Sequence, residues 1–136
     1  AAVNGPTHYW YDALDLPGAT QMQYVRRLME SRPMLERVPD NSLLLQTLHE
    51  HTKVLATRGE DYIMVYSTQG RSFELWGERV KGDTLRVSWF DPRTGTSQIT
   101  GTVPNKGLLR FSPPSSGYGH DWVLLLDDVS KDYPTP

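Results

Sequence analysis

Leu85-Arg86-Val87-Ser88-Trp89-Phe90-Asp91-Pro92-Arg93-Thr94-Gly95 is the stretch whose reading decides the fold. Leu85, Val87 and Trp89 alternate with Arg86 and Ser88, the period-2 pattern of a half-buried strand. Phe90 breaks the alternation, which predicts apolar neighbours on both faces at the strand's end. Asp91 can accept backbone N–H bonds, Pro92 presets φ at the first corner, and Gly95 can take a positive φ. A type I turn closed by a glycine bulge is expected, with Ser97 and Ile99 on the returning strand. The reading is a central hairpin of a β-sandwich, onto which the other elements pack. Asp91 and Arg93 need no catalytic role in it.

Outward from this hairpin, short strands recur between turn signals. Thr52 to Thr57 and Tyr62 to Ser67 flank Arg58-Gly59-Glu60-Asp61. Ser72 to Trp76, Leu108 to Phe111 and Asp121 to Asp127 follow, the last holding the unbroken apolar run Trp122-Val123-Leu124-Leu125-Leu126 of a strand covered on both faces. Trp89, Val87 and Val123 are expected in the core. Upstream, Asp15-Leu16-Pro17-Gly18 opens a helix over Pro17 to Arg32, with Met22, Val25, Leu28 and Met29 on one face. Pro33 ends it. Leu43-Leu44-Leu45 reads as one helical turn, and Asp132 to Pro136 as a frayed tail. The fold class expected is all-β: an antiparallel β-sandwich of about seven or eight strands with one N-terminal α-helix. The division expected is an aromatic segment, helix and linker over 1–40 and the sandwich over 41–136.

The totals narrow the function classes. The chain of 136 residues suffices for one domain with a core. Its net charge of −2, without a run of either sign, argues against nucleic acid as a partner. No apolar run approaches a membrane span, and none reads as a signal peptide. With no cysteine, disulfides and thiolate metal sites are excluded. The first residue is Ala, as in a processed or excised chain.

Candidate chemistry is thin. Hydrolysis of a glycoside needs two carboxylates across a cleft. Here Asp40, Glu60, Asp61, Asp83 and Asp91 fall in turns, where acids serve backbone hydrogen bonds. No catalytic residue is assigned. His49-Glu50-His51 offers two imidazoles without a third ligand, so no metal or other cofactor is expected. Ser115, His120 and Asp121 supply nucleophile, base and acid types, but without a nucleophile elbow. Aromatic side chains are the better lead. Tyr62 and Tyr66 alternate away from Ile63 and Val65, Trp76 alternates away from Phe73 and Leu75, and Tyr118 lies in a Gly-rich loop. These four are the candidate ligand-binding residues, because sugar rings and extended peptides both stack on exposed aromatic faces. The competing reading is that the rings fill a second core layer under the helix.

Two stretches carry a resemblance. Trp10-Tyr11-Asp12-Ala13-Leu14-Asp15-Leu16-Pro17-Gly18-Ala19, on through Gln21-Met22 to Arg26-Arg27-Leu28-Met29-Glu30-Ser31-Arg32-Pro33, resembles the end of the catalytic barrel of apiosidase-like glycoside hydrolases. Val38-Pro39-Asp40-Asn41 resembles the link that follows, with Asn41 where the family more often has Gln. Arg58 to Tyr62, Thr68 to Arg71, Trp89 to Gly95 and Asp121 to Leu124 resemble the C-terminal β-sandwich, labelled in that family a "putative collagen-binding domain of a collagenase". The resemblance implies a (β/α)₈ barrel upstream that carries the carboxylates, in a bacterial, secreted or periplasmic enzyme. The chain is then a non-catalytic accessory module of a carbohydrate-active enzyme. It would pack on the barrel and hold glycan. The alternative is a collagen- or protein-binding module, and a small independent enzyme ranks third. The helix is expected to dock on the sandwich beside His8 to Tyr11, leaving an apolar patch at which weak homodimers would form.

Overall fold

The computed structural model describes residues 19–32, 37–45, 54–67, 70–117, 119–134 and 136. One helix, α1 (Ala19–Glu30), precedes eight strands. They are β1 (Val38–Pro39), β2 (Val54–Arg58), β3 (Tyr62–Ser67), β4 (Phe73–Trp76), β5 (Thr84–Asp91), β6 (Thr96–Pro104), β7 (Leu108–Phe111) and β8 (Trp122–Asp128). Six form one antiparallel sheet in the order β1-β2-β3-β8-β5-β6, and β4 pairs with β7 in a second. The described residues form an all-β sandwich with one helix, as expected.

Period-2 alternation sorts the large sheet's residues to two cores. Ile63, Val65, Leu85, Val87, Trp89, Leu124 and Leu126 face the small sheet and pack on Phe73, Leu75 and Phe111. Tyr62, Met64, Tyr66, Phe90, Val123 and Leu125 face the other way and pack on Val25, Leu28 and Met29 of α1. The molecule therefore has three layers: helix, six-stranded sheet, two-stranded sheet. The three helical residues are fully buried. The outer row, Gln23, Arg26, Arg27 and Glu30, is exposed and polar. So the broad apolar patch expected on this end is not found among the described residues, and His8 to Tyr11 and Met22's side chain lie outside them.

The deciding hairpin forms as read. Gly95 has φ +75°, and its N–H donates to Asp91 O at 2.8 Å. The Asp91 carboxylate accepts from the Arg93 backbone N–H at 2.8 Å and from its guanidinium at 3.0 and 3.1 Å. Any side chain at 95 would collide with the Tyr24 ring, 2.5 Å from where its Cβ would stand. Arg27 donates to Gly95 O, so α1 is seated on the turn. The hairpin is not central, however. β6 forms the sheet's edge, and β3 and β8 occupy the middle. The cause is composition: β6 is Thr-, Ser- and Gln-rich and mostly exposed, whereas all of β3 is buried.

The tail also differs from expectation. Tyr133 packs edge-on against Tyr62, ring centroids 6.0 Å apart, and its hydroxyl donates to Asp61. Arg32 donates to Pro134 O at 2.6 Å, and Arg86 to Tyr133 O. The tail is a strap over the helix side, not a frayed end. Beneath it Arg32 forms a fully buried bidentate pair with Asp127, at 2.6 and 3.0 Å. Arg37, also buried, closes the helix end. It donates to Met29 O at 2.7 Å, Arg32 O at 3.3 Å and the Tyr62 hydroxyl at 2.8 Å.

Asp40 ties the link after α1 to the sandwich. Its carboxylate accepts from Ser42 N–H at 3.2 Å, Arg58 Nε at 2.8 Å and Arg79 Nη1 at 3.3 Å, and from the Ser42 hydroxyl. Burial pushes this carboxyl up, but the Ser42, Arg58 and Arg79 contacts outweigh it and hold it below the usual 3.8. A lowered folded-state value stabilises the fold above the ordinary carboxylate range, and this contribution disappears as pH falls through the folded value. We expect Asp40→Asn to lower the urea midpoint at pH 6, with the deficit shrinking as pH falls below 3.8. A deficit as large at pH 3 as at pH 6 would refute the ionic origin.

Candidate functional site

The small sheet positions the site. In β4, Phe73 and Leu75 point to the core, so Glu74 and Trp76 point out; in β7, Leu108 and Arg110 do the same. Cross-strand register sets Trp76 opposite Leu108 and Glu74 opposite Arg110. Leu44 bridges to Leu75 and is buried with it. The next residue, Leu45, therefore lies on the outer side beside Glu74, to whose carbonyl its N–H donates at 2.9 Å. The outcome is an aliphatic–aromatic strip: Trp76 is 41% exposed, Leu45 40% and Leu108 38%. In the same row as Leu45 stand two opposite charges, Glu74 and Arg110, whose side chains have no hydrogen-bond or ion-pair partner among the described residues.

The strip is held from behind and at one end. The turn Gly77–Arg79 follows Trp76. Gly77 has no room for a Cβ, because Asn105 Oδ1 lies 2.4 Å from that position. Asn105 donates to Val80 O at 3.2 Å and Gly82 O at 2.9 Å, and Gly107 N–H donates to Glu78 at 2.9 Å. These bonds fix the β6–β7 connection against the turn and thus fix Leu108 beside Trp76.

The other aromatic candidates fare differently. Tyr62 and Tyr66 are 0% and 1% exposed, in the core under α1. They form no stacking surface. Their hydroxyls bond inside the protein, Tyr62 accepting from Arg37 and Tyr66 donating to Asp121 at 2.6 Å. Period-2 alternation gives both faces of a strand but not which face a helix covers. Tyr118 lies outside the described residues. Leu45 and the Glu74–Arg110 pair were missed by sequence reading. The pair was legible, since Glu74 alternates with the core residues Phe73 and Leu75, and Arg110 lies one place from Leu109.

Two residues with catalytic side-chain types, Ser115 and His120, do come together. Trp122 Nε1–H donates to Ser115 Oγ at 3.0 Å, and Ser115 Oγ lies 2.8 Å from His120 Nδ1. Ser115 Oγ thus accepts from Trp122 and shares a hydrogen bond with His120, whose donor is set by the imidazole tautomer. Asp121, the third type, is engaged by Tyr66 instead. The arrangement pins the 112–120 loop to β8. Arg93 adds to the anchor, donating to Gly119 O at 2.7 Å and stacking over the Trp122 ring at 5.8 Å. His49 to His51 lie outside the described residues, and among those described no three metal-ligating side chains converge.

The family model for the "Putative collagen-binding domain of a collagenase" matches residues 38–127. The chain belongs to this family. The collagen-binding-type domain begins at β1 and ends in β8, so Trp76 and its strip lie inside it and α1 lies upstream. The chain is also similar to two solved structures. One, titled "Glycoside hydrolase", is 38% identical, with a TM-score of 0.80 over 92% of this chain and 28% of that one. The other is a glycoside hydrolase family 5 protein from Bacteroides vulgatus. It is 35% identical, with a TM-score of 0.81 over 92% of this chain and 27% of that one. The chain thus spans little more than a quarter of either relative. The comparison with curated proteins returned no match. No described helix is long and apolar enough to cross a membrane.

Proposed function

We propose that this collagen-binding-type domain is the non-catalytic C-terminal accessory module of a secreted or periplasmic bacterial glycoside hydrolase of the apiosidase-like type. In this reading it packs on the catalytic barrel and holds glycan on the outer face of the small sheet. The observation that carries the glycan reading is Trp76, an indole two-fifths exposed on a rigid strand, continued by Leu108 and Leu45. Pyranose rings lay their C–H face on such a surface, while Glu74 and Arg110, in the row next to Trp76 and Leu108, are placed to meet hydroxyls. The similarity to two glycoside hydrolases, each nearly four times the length it covers, supports the accessory role.

The test is a glycan array run beside a collagen pull-down. Retention on at least one polysaccharide is expected, and Trp76→Ala should weaken it about tenfold or more. Trp76 is exposed, so thermal melting of that variant should stay within a degree or two of the parent, about the effect of a surface change. Binding to collagen with none to any glycan would favour the protein-binding alternative. The chain alone is expected to turn over no aryl glycoside; turnover lost on mutating one acid of this chain would overturn the non-catalytic reading.

A further inference from the structure

We propose that the helix side of the six-stranded sheet is the surface by which this module seats against its enzyme's catalytic domain, leaving the Trp76 face, on the opposite layer, open to ligand. The inference rests on the accessory-module reading and names the surface that reading requires.

Three observations converge on that side. The first is where the upstream chain meets the module. Residues 38–136 make up less than three quarters of the chain, so a match covering 92% of it reaches well into the segment that carries α1. α1 is thus shared with the glycoside hydrolases, yet it precedes the family domain at 38–127. It is the piece that joins the module to what comes before it.

The second is the chemistry of the helix's outer row. Arg26 and Glu30 are exposed, opposite in charge and four residues apart, and neither has a partner among the described residues. With Pro134 and Pro136 of the strap they line an open cleft of about 370 Å³. The third lies across the strap on β6. Ser97 is the register partner of Phe90 and Ile99 that of Ser88, which puts both on the helix side. Ser97 Oγ donates to Pro136 O at 3.4 Å, so strap and strand are continuous. Ile99, at 54%, is the most exposed large hydrophobic residue among those described. Under it Ser88 Oγ is buried without a partner. A surface of mixed, unpaired charge around one aliphatic knob is the composition of an interdomain interface within a chain, which is more polar than an obligate one. An exposed β-edge carrying such a residue is a liability unless something covers it.

The test compares hydrogen exchange in the 136-residue chain with that in the whole glycoside hydrolase that carries it. Amides of residues 26–30 and 97–99 are expected to exchange about tenfold or more slowly in the whole enzyme. Those of 74–76 and 108–110 should exchange alike in both. The double variant Arg26→Glu with Ile99→Asp should leave the isolated chain's melting unchanged and split the whole enzyme's single transition into two. Protection at 74–76 and 108–110 instead would overturn the surface while keeping the accessory reading. Protection on neither face, with domains melting separately in the unmodified enzyme, would overturn both. Protection of 97–99 that rises with the concentration of the isolated chain would assign this side to a second copy and overturn the proposal.

Discussion

Asp127→Ala is expected to cost about 3–5 kcal/mol of folding stability, the penalty for breaking a buried ion pair on one side. The Asp127 carboxylate is 1% exposed and its partner Arg32 0%. Both oxygens accept from Arg32, and Oδ2 also accepts from Arg86 at 3.2 Å. Removing the acid leaves one fully buried guanidinium, Arg32, and takes one partner from Arg86, which is 15% exposed and keeps Tyr133 O and, at 3.6 Å, Asp132. Arg32 would retain only the Ser31 hydroxyl at 2.8 Å and Pro134 O at 2.6 Å, both neutral. Arg86 Nε already lacks a partner. The Arg32 charge would be stranded where water does not replace the carboxylate. Urea unfolding followed by circular dichroism measures the loss. The double variant Arg32→Met with Asp127→Leu should recover most of it, because the desolvation cost is removed with the charges. A loss under about 1 kcal/mol for Asp127→Ala, the scale of a surface change, would mean that water hydrates this site.

Trp89→Ala is expected to cost about 3–5 kcal/mol for a different reason, the cavity left by a large buried ring. Trp89 is 4% exposed. It meets Phe73 of the small sheet nearly edge-on, centroids 6.2 Å apart and planes at 72°, and Phe73 in turn meets Phe111 at 6.2 Å. The ring therefore spans the gap between the two sheets, and truncation removes contacts on both. Leu109 and Trp76 ride on the same small sheet, so Trp89→Ala should also loosen the candidate site, seen as faster exchange in β4 and β7. A loss below about 1 kcal/mol would place the ring outside the core.

What was legible in the chain was local. Leu85 to Gly95 declared a strand and its turn, and the side chains of Asp91, Arg93 and Gly95 behave as their turn chemistry requires. Leu108–Phe111 and Tyr62–Ser67 were readable to the residue. Sheet order was not, because no local pattern says that β8 lies between β3 and β5. The tail was misread for a related reason. Asp132 to Pro136 has no periodicity, and its anchors, Asp61 and Arg32, lie far back in the chain. Arg37 was passed over likewise, its role arising only where a helix end, a thioether and a tyrosine hydroxyl converge. At the candidate site, Trp76 was legible as outward-facing. Tyr62 and Tyr66 have the same alternation but a helix above them.

The position of β8 has a consequence for synthesis. The large sheet consists of two pieces, β1-β2-β3 and β5-β6, whose ladders are joined only through β8. β8 is also the last strand to leave the ribosome, its residues running from Trp122 to Asp128. Until it emerges, the edges of β3 and β5 that β8 joins have no hydrogen-bonding partner, and neither piece can complete its ladder. The six-stranded sheet therefore cannot be completed stepwise behind the exit tunnel. Its central ladders close only after nearly all of the module's residues are free.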